Sequence, residues 1–170
     1  MTLTNTSTFD QQTNYITTMK KYWLFKSEPD VFSIDNLMGD KKTLWEGVRN
    51  YQARNYMSKD MKIGDEILFY HSSSDPSGIA GLAMVSNDAK PDPSQFVKKS
   101  QYFDKKATLI KPIWFCVEVS FVKKFDALFP LSAMKNHEEL KEMLVLKKGQ
   151  RLSIQPVSLE HYIWIVNHLK

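Results

Sequence analysis

Hydrophobic and polar positions divide the chain into short strands separated by short helices. Residues 66–71 form a nearly continuous apolar run, which predicts a strand buried on both faces. Residues 114–122 alternate apolar and polar side chains, as expected for a half-buried strand. Further strands are predicted at residues 22–27, 43–45, 79–85 and 149–156, the last with Arg151, Ser153 and Gln155 pointing outward. Gly78 and Gly81 indicate a bulge or a close backbone approach.

The helix signals are all short. Ser33 is predicted to cap a helix that reaches about Met38 and ends at Gly39, and a second helix is predicted at residues 51–57. A capping box at residues 136–139 predicts a helix to about residue 144. Ser158 should cap a terminal helix with this apolar stripe: Leu159, Tyr162, Ile163, Val166 and Leu169. About six strands without long crossover helices predict an α+β fold, a small mixed or antiparallel β-barrel flanked by short helices.

Length and composition favour one domain. The 170 residues lie within the usual range for a single domain, so residues 19–170 are predicted to form one and residues 1–18, which are rich in Thr, Asn and Gln, a flexible polar tail. A single cysteine, Cys116, excludes an internal disulfide and a cysteine-cluster zinc site. The sequence contains neither an apolar run of about 18 residues nor a signal-peptide core. A soluble protein of the cytoplasm, or of the nucleus in a eukaryote, is therefore expected.

Positive charge is concentrated in residues 87–112, the lysine-rich segment. The whole chain carries a formal charge of +4, and this segment, predicted as a long loop, holds six lysines against three aspartates. The six are Lys90, Lys98, Lys99, Lys105, Lys106 and Lys111. Such lysines could simply be solvated, or they could follow a phosphate backbone.

Residues 45–57, the Trp45 segment, carry the most informative chemistry. This segment contains Arg49 and Arg54, two of the three arginines in the chain. It also contains the aromatic residues Trp45, Tyr51 and Tyr56 and the carboxamides Asn50, Gln52 and Asn55. Flat faces beside amide and guanidinium donors are suited to binding an unstacked base. The alternative is a polar loop whose aromatics cover their neighbours.

Catalytic and metal-binding patterns are weak. The four histidines lack the spacing of a metal site, and Cys116 alternates with apolar neighbours as an inert core residue would. Lys26 and Glu28, at the end of the first strand, could perform acid–base chemistry, form an ion pair or bind a ligand. Trp114 and Trp164 lie in periodic apolar segments and are assigned to packing. No metal, cofactor or membrane partner is expected.

Four blocks, residues 22–29, 45–55, 64–72 and 149–157, resemble the EVE domain, also known from the thymocyte nuclear protein one family. The resemblance implies a PUA-like fold, in the superfamily that includes the YTH, ASCH and SRA-type domains, and the reading of modified bases, chiefly modified cytosine in DNA. The pocket residues it implies are Ser27, Trp45, Val48, Asn50, Tyr51, Arg54, His71, Ser72, Gln155 and Pro156. The backbone contacts expected beside them are Lys26, Arg49, Lys98, Lys99, Lys105 and Lys106.

The resulting hypothesis is a nucleic-acid-binding module that accepts a flipped base. Trp45 is expected to offer an open stacking face, with Asn50 and Gln155 reading the polar edge, so that Trp45→Ala should abolish binding without unfolding the domain. Tyr51 and Arg54 could instead brace the loop, and His71 could only fix a turn. Two alternatives remain, a YTH-like reader of modified single-stranded RNA and an ASCH-like hydrolase of a modified nucleoside acting through Lys26 and Glu28. Neither the modification nor the oligomeric state is fixed by the sequence.

Overall fold

The computed structural model describes residues 19–169, and the predicted tail of residues 1–18 lies outside the described residues. Its strands are β1 (Tyr22–Ser27), β2 (Lys42–Leu44), β3 (Glu66–His71), β4 (Gly78–Pro91), β5 (Phe115–Pro130) and β6 (Ile154–Val157). They form one sheet in the order β2-β5-β4-β3-β1-β6, in which β1 and β3 are parallel and the other neighbours antiparallel. The predicted mixed sheet is confirmed.

Short helices flank the sheet. They are α1 (Ile34–Asp40), α2 (Tyr51–Asn55), α3 (Leu131–Met134) and α4 (Leu159–His168). A π-helical turn, Tyr56–Asp60, continues α2, and 3₁₀ turns lie at Pro93–Phe96, Glu138–Leu140 and Leu144–Leu146. Within residues 19–169, no helix has both the length and the apolar character required to cross a bilayer.

Apolar side chains pack on both faces of the sheet. In β3, Ile67 belongs to the first core and Leu68 to the second, because successive side chains of a strand point to opposite faces. The predicted burial of residues 66–71 on both faces is thereby confirmed for the four central residues. Val117 of β5 and Ile154 of β6 both lie in the first core although their strands are far apart in the strand order. The sheet therefore curves around this core, as in a small barrel.

Strands β4 and β5 are longer than their sequence patterns predicted. β4 continues to Pro91, which pairs with Phe115, so the prediction of loop structure from residue 87 onward is wrong for the first five residues. Shifts of register between β4 and β5 allow these long strands to bend. A β-carbon at Gly78 would lie 2.2 Å from the carbonyl oxygen of Phe129, so the predicted close backbone approach is confirmed there.

Two helix predictions at the N-terminal caps are confirmed. Ser33 forms a capping box with Asn36 at the start of α1, although this helix continues through Gly39 to Asp40. Ser158 accepts a hydrogen bond from the backbone N–H of His161 at the start of α4.

The helix predicted at residues 51–57 corresponds to α2 and the π-helical turn that continues it. Two other features of the helix predictions require correction. The helix predicted to begin at residues 136–139 is replaced by two 3₁₀ turns, and His137 makes no side-chain cap. The predicted stripe of α4 is only partly buried, because Leu159 and Ile163 are exposed while Ile165 joins Tyr162 in the second core. Packing in the second core, where Tyr162 lies against Tyr22 of β1, selects a face of α4 rotated from the one that the sequence pattern indicated.

Candidate functional site

A cleft of about 650 Å³ opens at the end of β1, beside the start of the Trp45 segment. This volume lies within the range of roughly 300–1,000 Å³ that is typical of ligand pockets. The residues that line it are Lys26, Ser27, Glu28, Val31, Phe32, Thr43, Leu44, Trp45, Glu46, Gly47, Val48, Arg49, Gln101, Tyr102 and Ser153. Three of the predicted pocket residues, Ser27, Trp45 and Val48, are thus brought together. Two smaller cavities, of about 350 and 360 Å³, lie beside β6.

The floor of the cleft is apolar and includes Trp45. Its ring centroid lies 5.1 Å from that of Phe25, 5.6 Å from that of Phe69 and 6.4 Å from that of Phe32. Only 9% of Trp45 is exposed. The expectation that Trp45 presents an open stacking face is therefore wrong, because neighbouring rings cover the indole in the first core.

The walls carry hydrogen-bonding and charged groups. Ser27 Oγ donates to the carbonyl oxygen of Phe32 at 2.6 Å, and Lys26 Nζ donates to that of Gln150 at 3.2 Å. Burial lowers the pKa of Lys26 below its ordinary value. Glu28 accepts a hydrogen bond from Ser73 Oγ at 3.2 Å. The cleft thus combines a partly desolvated ammonium group with carboxylates.

Glu46 is a wall residue that the sequence analysis missed. Burial, and next the negative charge of Asp92, raise the pKa of Glu46 above its ordinary value. Within residues 19–169, its carboxylate accepts no hydrogen bond from a protein group. A carboxylate without such a partner is free to accept hydrogen bonds from a ligand. The signal that could have identified Glu46 is its place in the Trp45 segment, between Trp45 and Gly47.

Arg49 holds the Trp45 segment to the lysine-rich segment. Nε donates to the carbonyl oxygen of Tyr102, Nη1 to Asp92 at 2.7 Å and to the carbonyl oxygen of Val48, and Nη2 to Ser94 and again to Tyr102. The guanidinium offers five N–H donors, and five hydrogen bonds within the protein occupy them. In this arrangement the guanidinium of Arg49 has a structural role, and the backbone contact expected of it stays a prediction.

Asp92 is the buried partner of Arg49. Its carboxylate also accepts the backbone N–H groups of Gly47 and Ser94, at 2.9 and 2.8 Å. Burial alone would raise the pKa of Asp92, but the hydrogen bonds from Arg49, Ser94 and Gly47 outweigh it and hold this pKa below its ordinary value. The carboxylate is thus ionised where it joins the two segments.

Tyr102 contributes an aromatic wall that the sequence analysis also missed. Its ring lies against Gly47, whose φ is +80°, and a β-carbon there would come within 2.6 Å of the ring. Arg49 Cζ lies 5.4 Å from the ring centroid of Tyr102. Gly47 therefore permits both the left-handed backbone conformation and the close seating of this aromatic face.

Three predicted pocket residues of the Trp45 segment stabilise its own structure. Asn50 caps α2, since its Oδ1 accepts the N–H groups of Gln52 and Ala53. Tyr51 stacks on Trp114 with centroids 4.9 Å apart, and Arg54 Cζ lies 4.8 Å from the ring of Tyr51. These side chains are not among those that line the cleft.

His71 and Ser72 also hold backbone next to the cleft. His71 Nε2 accepts the N–H of Ile34 at 3.1 Å, so its ring nitrogen is engaged at the start of α1. Burial is the main reason that the pKa of His71 is lowered. The backbone N–H of Ser72 donates to the carbonyl oxygen of Ser27 at 2.8 Å. Their positions fix the end of β1 but do not place them among the lining residues.

Gln155 and Pro156 lie apart from Trp45. Gln155 is 1% exposed, and its Nε2 donates to the carbonyl oxygen of Leu152 at 2.9 Å, so the predicted outward orientation is wrong. Ile154 occupies the first core, which places Gln155 on the opposite face of β6. Gln155 and Pro156 line the cavity of about 350 Å³ instead. The predicted convergence of Gln155 with Trp45 does not occur.

The four predicted lysine contacts of the lysine-rich segment, Lys98, Lys99, Lys105 and Lys106, are all exposed. Among residues 19–169, none of them takes part in an ion pair. Their charges are therefore available to a polyanion, but the exposure itself specifies none.

Cys116 lies fully buried in β5. Burial, with smaller contributions from Asp92 and Glu46, raises the pKa of this thiol to about 12. We expect less than one-tenth of the native protein to react with a thiol reagent such as DTNB at pH 8 within minutes, because the thiolate is the reactive species. Addition of urea above the unfolding midpoint should give one thiol per chain, and rapid labelling without urea would contradict the assignment to the core.

The family model of the EVE domain matches residues 21–168 of this chain. The chain belongs to the EVE domain family. Human thymocyte nuclear protein 1 is 36% identical over 173 residues, which cover 91% of this chain and 76% of that protein. The family assignment expected from the four sequence blocks is thus confirmed.

Solved structures show the same fold as this EVE domain. A hypothetical protein from Leishmania major is 45% identical with a TM-score of 0.83, over 88% of this chain and 94% of its own. Human THYN1 protein in complex with DNA containing 5-methylcytosine is 38% identical with a TM-score of 0.81, over 88% of this chain and 97% of its own. Together with the six-stranded sheet, these likenesses confirm the predicted PUA-like fold.

Proposed function

We propose that this EVE domain binds DNA and accepts a flipped cytosine in the cleft, with a preference for 5-methylcytosine. The observation that carries the proposal is the cleft itself, in which aromatic and apolar side chains lie beside the carboxylate of Glu46 and the ammonium group of Lys26. The likeness to human THYN1 bound to DNA containing 5-methylcytosine supports the choice of base.

The stacking face in this proposal is Tyr102, with Phe32 beside it. Both line the cleft, and neither is buried as deeply as Trp45. Withdrawing a base from a duplex costs a few kcal/mol, and one aromatic stack recovers about 1–3 kcal/mol. Stacking alone therefore nearly balances extraction, and polar contacts to the base must provide the remaining affinity.

The polar edge of cytosine matches the charged groups of the cleft. Its exocyclic N4 amino group is a donor, for which a glutamate carboxylate is a suitable acceptor. Glu46 supplies such an acceptor, and Lys26 supplies a donor for the carbonyl oxygen or ring nitrogen on the same edge. Thymine carries a carbonyl oxygen where cytosine has the amino group, so a carboxylate there disfavours it.

The methyl group contributes a smaller increment. Burying one methyl group against apolar side chains is worth about 0.8 kcal/mol, which corresponds to roughly a fourfold preference. Val48 and Leu44 are apolar residues of the wall that could contact it. We therefore expect a modest preference for the methylated base over plain cytosine.

Glu46→Gln tests the edge contact. It should weaken the binding of single-stranded DNA containing 5-methylcytosine about tenfold, because an amide NH₂ can turn a second donor toward N4. Fluorescence anisotropy titrations with 5-methylcytosine, cytosine and thymine at one position would measure this, at two salt concentrations. Asp126→Asn, which changes an exposed carboxylate on β5, is the matched control and should leave affinity unchanged.

Equal binding of the three bases by the wild-type protein would contradict the proposal. An RNA oligonucleotide with methylated adenine tests the YTH-like alternative, and tighter binding to it than to DNA would favour that alternative. Mass spectrometry of incubated nucleosides tests hydrolysis through Lys26 and Glu28. We expect no product, because the proposed role is stoichiometric binding.

A further inference from the structure

We propose that Leu109 and Ile110 form an apolar wedge that enters the DNA duplex at the step from which the base is withdrawn. This inference rests on the proposed function and adds a second contact to it. Leu109 is 82% exposed and Ile110 98% exposed, at the tip of the lysine-rich segment. Single exposed apolar residues are common, but two adjacent ones at the tip of an ordered turn require an explanation.

The turn that carries these two side chains is closed by its own hydrogen bonds. The N–H of Thr108 donates to the carbonyl oxygen of Lys111 at 3.2 Å, and the N–H of Lys111 donates back to that of Thr108 at 3.1 Å. Thr108 Oγ1 also accepts the N–H of Lys111 at 3.0 Å. Leu109 and Ile110 are therefore the two central residues of this closed turn.

Both ends of this loop are fixed to the elements that build the cleft. Before the tip, the carbonyl oxygen of Tyr102 accepts from Arg49 at 2.6 Å, and Asp104 accepts from the indole N–H of Trp114 at 2.8 Å. After the tip, the carbonyl oxygen of Ile113 accepts from Arg54 at 3.2 Å. The two arginines of the Trp45 segment thus hold the chain on both sides of the tip to a segment that also contributes to the cleft.

The charge around the tip favours DNA as its partner. Residues 105–111 contain Lys105, Lys106 and Lys111 and no acidic residue. Cations beside an apolar apex match a base step, whose interior is apolar and whose flanks carry phosphates. Leucine and isoleucine are among the side chains that proteins insert between base steps. Withdrawing a base leaves a gap in the base stack, and an inserted apolar side chain can fill that gap.

The test compares duplex and single-stranded DNA of one sequence with a central 5-methylcytosine. The double variant Leu109→Ser/Ile110→Ser should bind the duplex about tenfold more weakly, yet bind the single strand within about twofold of wild type, because a single strand has no paired stack to open. Both positions are exposed, so the variant should retain the wild-type melting temperature. Ile63→Ser is the control, since Ile63 is 58% exposed and precedes β3, which begins at the opposite end of β1 from the cleft.

A second readout reports on the stack directly. A 2-aminopurine placed next to the target base should brighten when wild-type protein binds the duplex, and this increase should be lost with the double variant. Equal weakening of duplex and single strand, or unchanged duplex affinity with an unchanged 2-aminopurine signal, would overturn the wedge. Vesicles of phosphatidylserine and phosphatidylcholine form another arm, and binding to them that depends on both residues while duplex binding does not would assign the tip to a membrane.

Failure of the wedge can be distinguished from failure of the proposed function. The single-stranded titration with wild-type protein tests the cleft alone. A preference for 5-methylcytosine there, with no effect of the double variant on the duplex, leaves the cleft in place and removes only the wedge. No preference among bases in the single strand removes the proposed function itself.

Discussion

Replacing Trp45 by alanine is expected to lower the free energy of unfolding by about 3–5 kcal/mol, the usual cost of truncating a large buried aromatic residue. The indole is 9% exposed, and the rings of Phe25, Phe69 and Phe32 surround it in the first core. Loss of binding in this variant would therefore follow from loss of packing beneath the cleft. Urea denaturation followed by circular dichroism would measure the change.

Two comparisons make this prediction specific. Trp45→Phe should cost less than Trp45→Ala, because it leaves a smaller cavity. Tyr51→Ala should cost under about 1.5 kcal/mol, since Tyr51 is 60% exposed and contributes mainly its stack on Trp114. A Trp45→Ala variant with wild-type stability that no longer binds DNA would reverse the assignment and return the indole to the role of a stacking face.

Local patterns predicted the sheet well because its signals lie within single segments. The apolar run at residues 66–71 and the aromatic strand at residues 22–27 correspond to β3 and β1 with the predicted bounds. The caps at Ser33 and Ser158 were also visible, since a cap and the N–H that it accepts lie three residues apart. Such features depend on the residues next to them and hardly on the rest of the fold.

Features that depend on distant partners were not predicted. Residues 87–91 have a polar, loop-like composition, yet they continue β4 because β5 offers a pairing edge. Gln155 looked outward-facing from its alternation with Ile154, but the outer face of β6 is covered, so the amide is buried and satisfied by Leu152. The alternation of apolar and polar residues cannot by itself show that both faces of a strand are covered.

The site follows the same division. Ser27, Trp45 and Val48 line one cleft, and their proximity was predictable because the Trp45 segment and the end of β1 are recognisable as motifs. Tyr102 was not identified, because it comes from a segment whose lysines dominated its interpretation. Its position depends on Arg49, 53 residues earlier. The sequence identifies Arg49 as a hydrogen-bond donor, but it does not show which distant groups accept its hydrogen bonds.

Replacing Asp92 by alanine is expected to destabilise the domain by about 3 kcal/mol. Asp92 is fully buried, and removing it leaves the N–H of Gly47, that of Ser94 and the guanidinium of Arg49 without their acceptor. Breaking a buried pair by deleting one partner commonly costs about 3–5 kcal/mol, and the partial exposure of Arg49 places this case at the lower end. Asp126→Ala, at an exposed position of β5, should change stability by less than about 0.5 kcal/mol.

The pH dependence of this effect has a definite sign. The pKa of Asp92 is lower in the folded protein than its ordinary value of 3.8, so its ionised form stabilises the fold fully above about that pH. The stabilisation is lost as pH falls through the lower folded pKa. The difference in unfolding free energy between wild type and Asp92→Ala should therefore be largest near pH 7 and shrink as the solution is acidified below about pH 4.

A double-mutant cycle with Arg49→Met separates the pair from its surroundings. The loss of unfolding free energy in Arg49→Met/Asp92→Ala should be smaller than the sum of the losses in the two single variants by at least about 1 kcal/mol. The reason is that each single variant leaves the other partner without its counterion. Strict additivity, or a stability difference that grows on acidification, would show that Asp92 does not act through Arg49.

The variants that change Arg49 should also make Tyr102 more mobile, since the carbonyl oxygen of Tyr102 accepts a hydrogen bond from Nη2 of Arg49 at 2.6 Å. Duplex binding should weaken with them even where the domain stays folded.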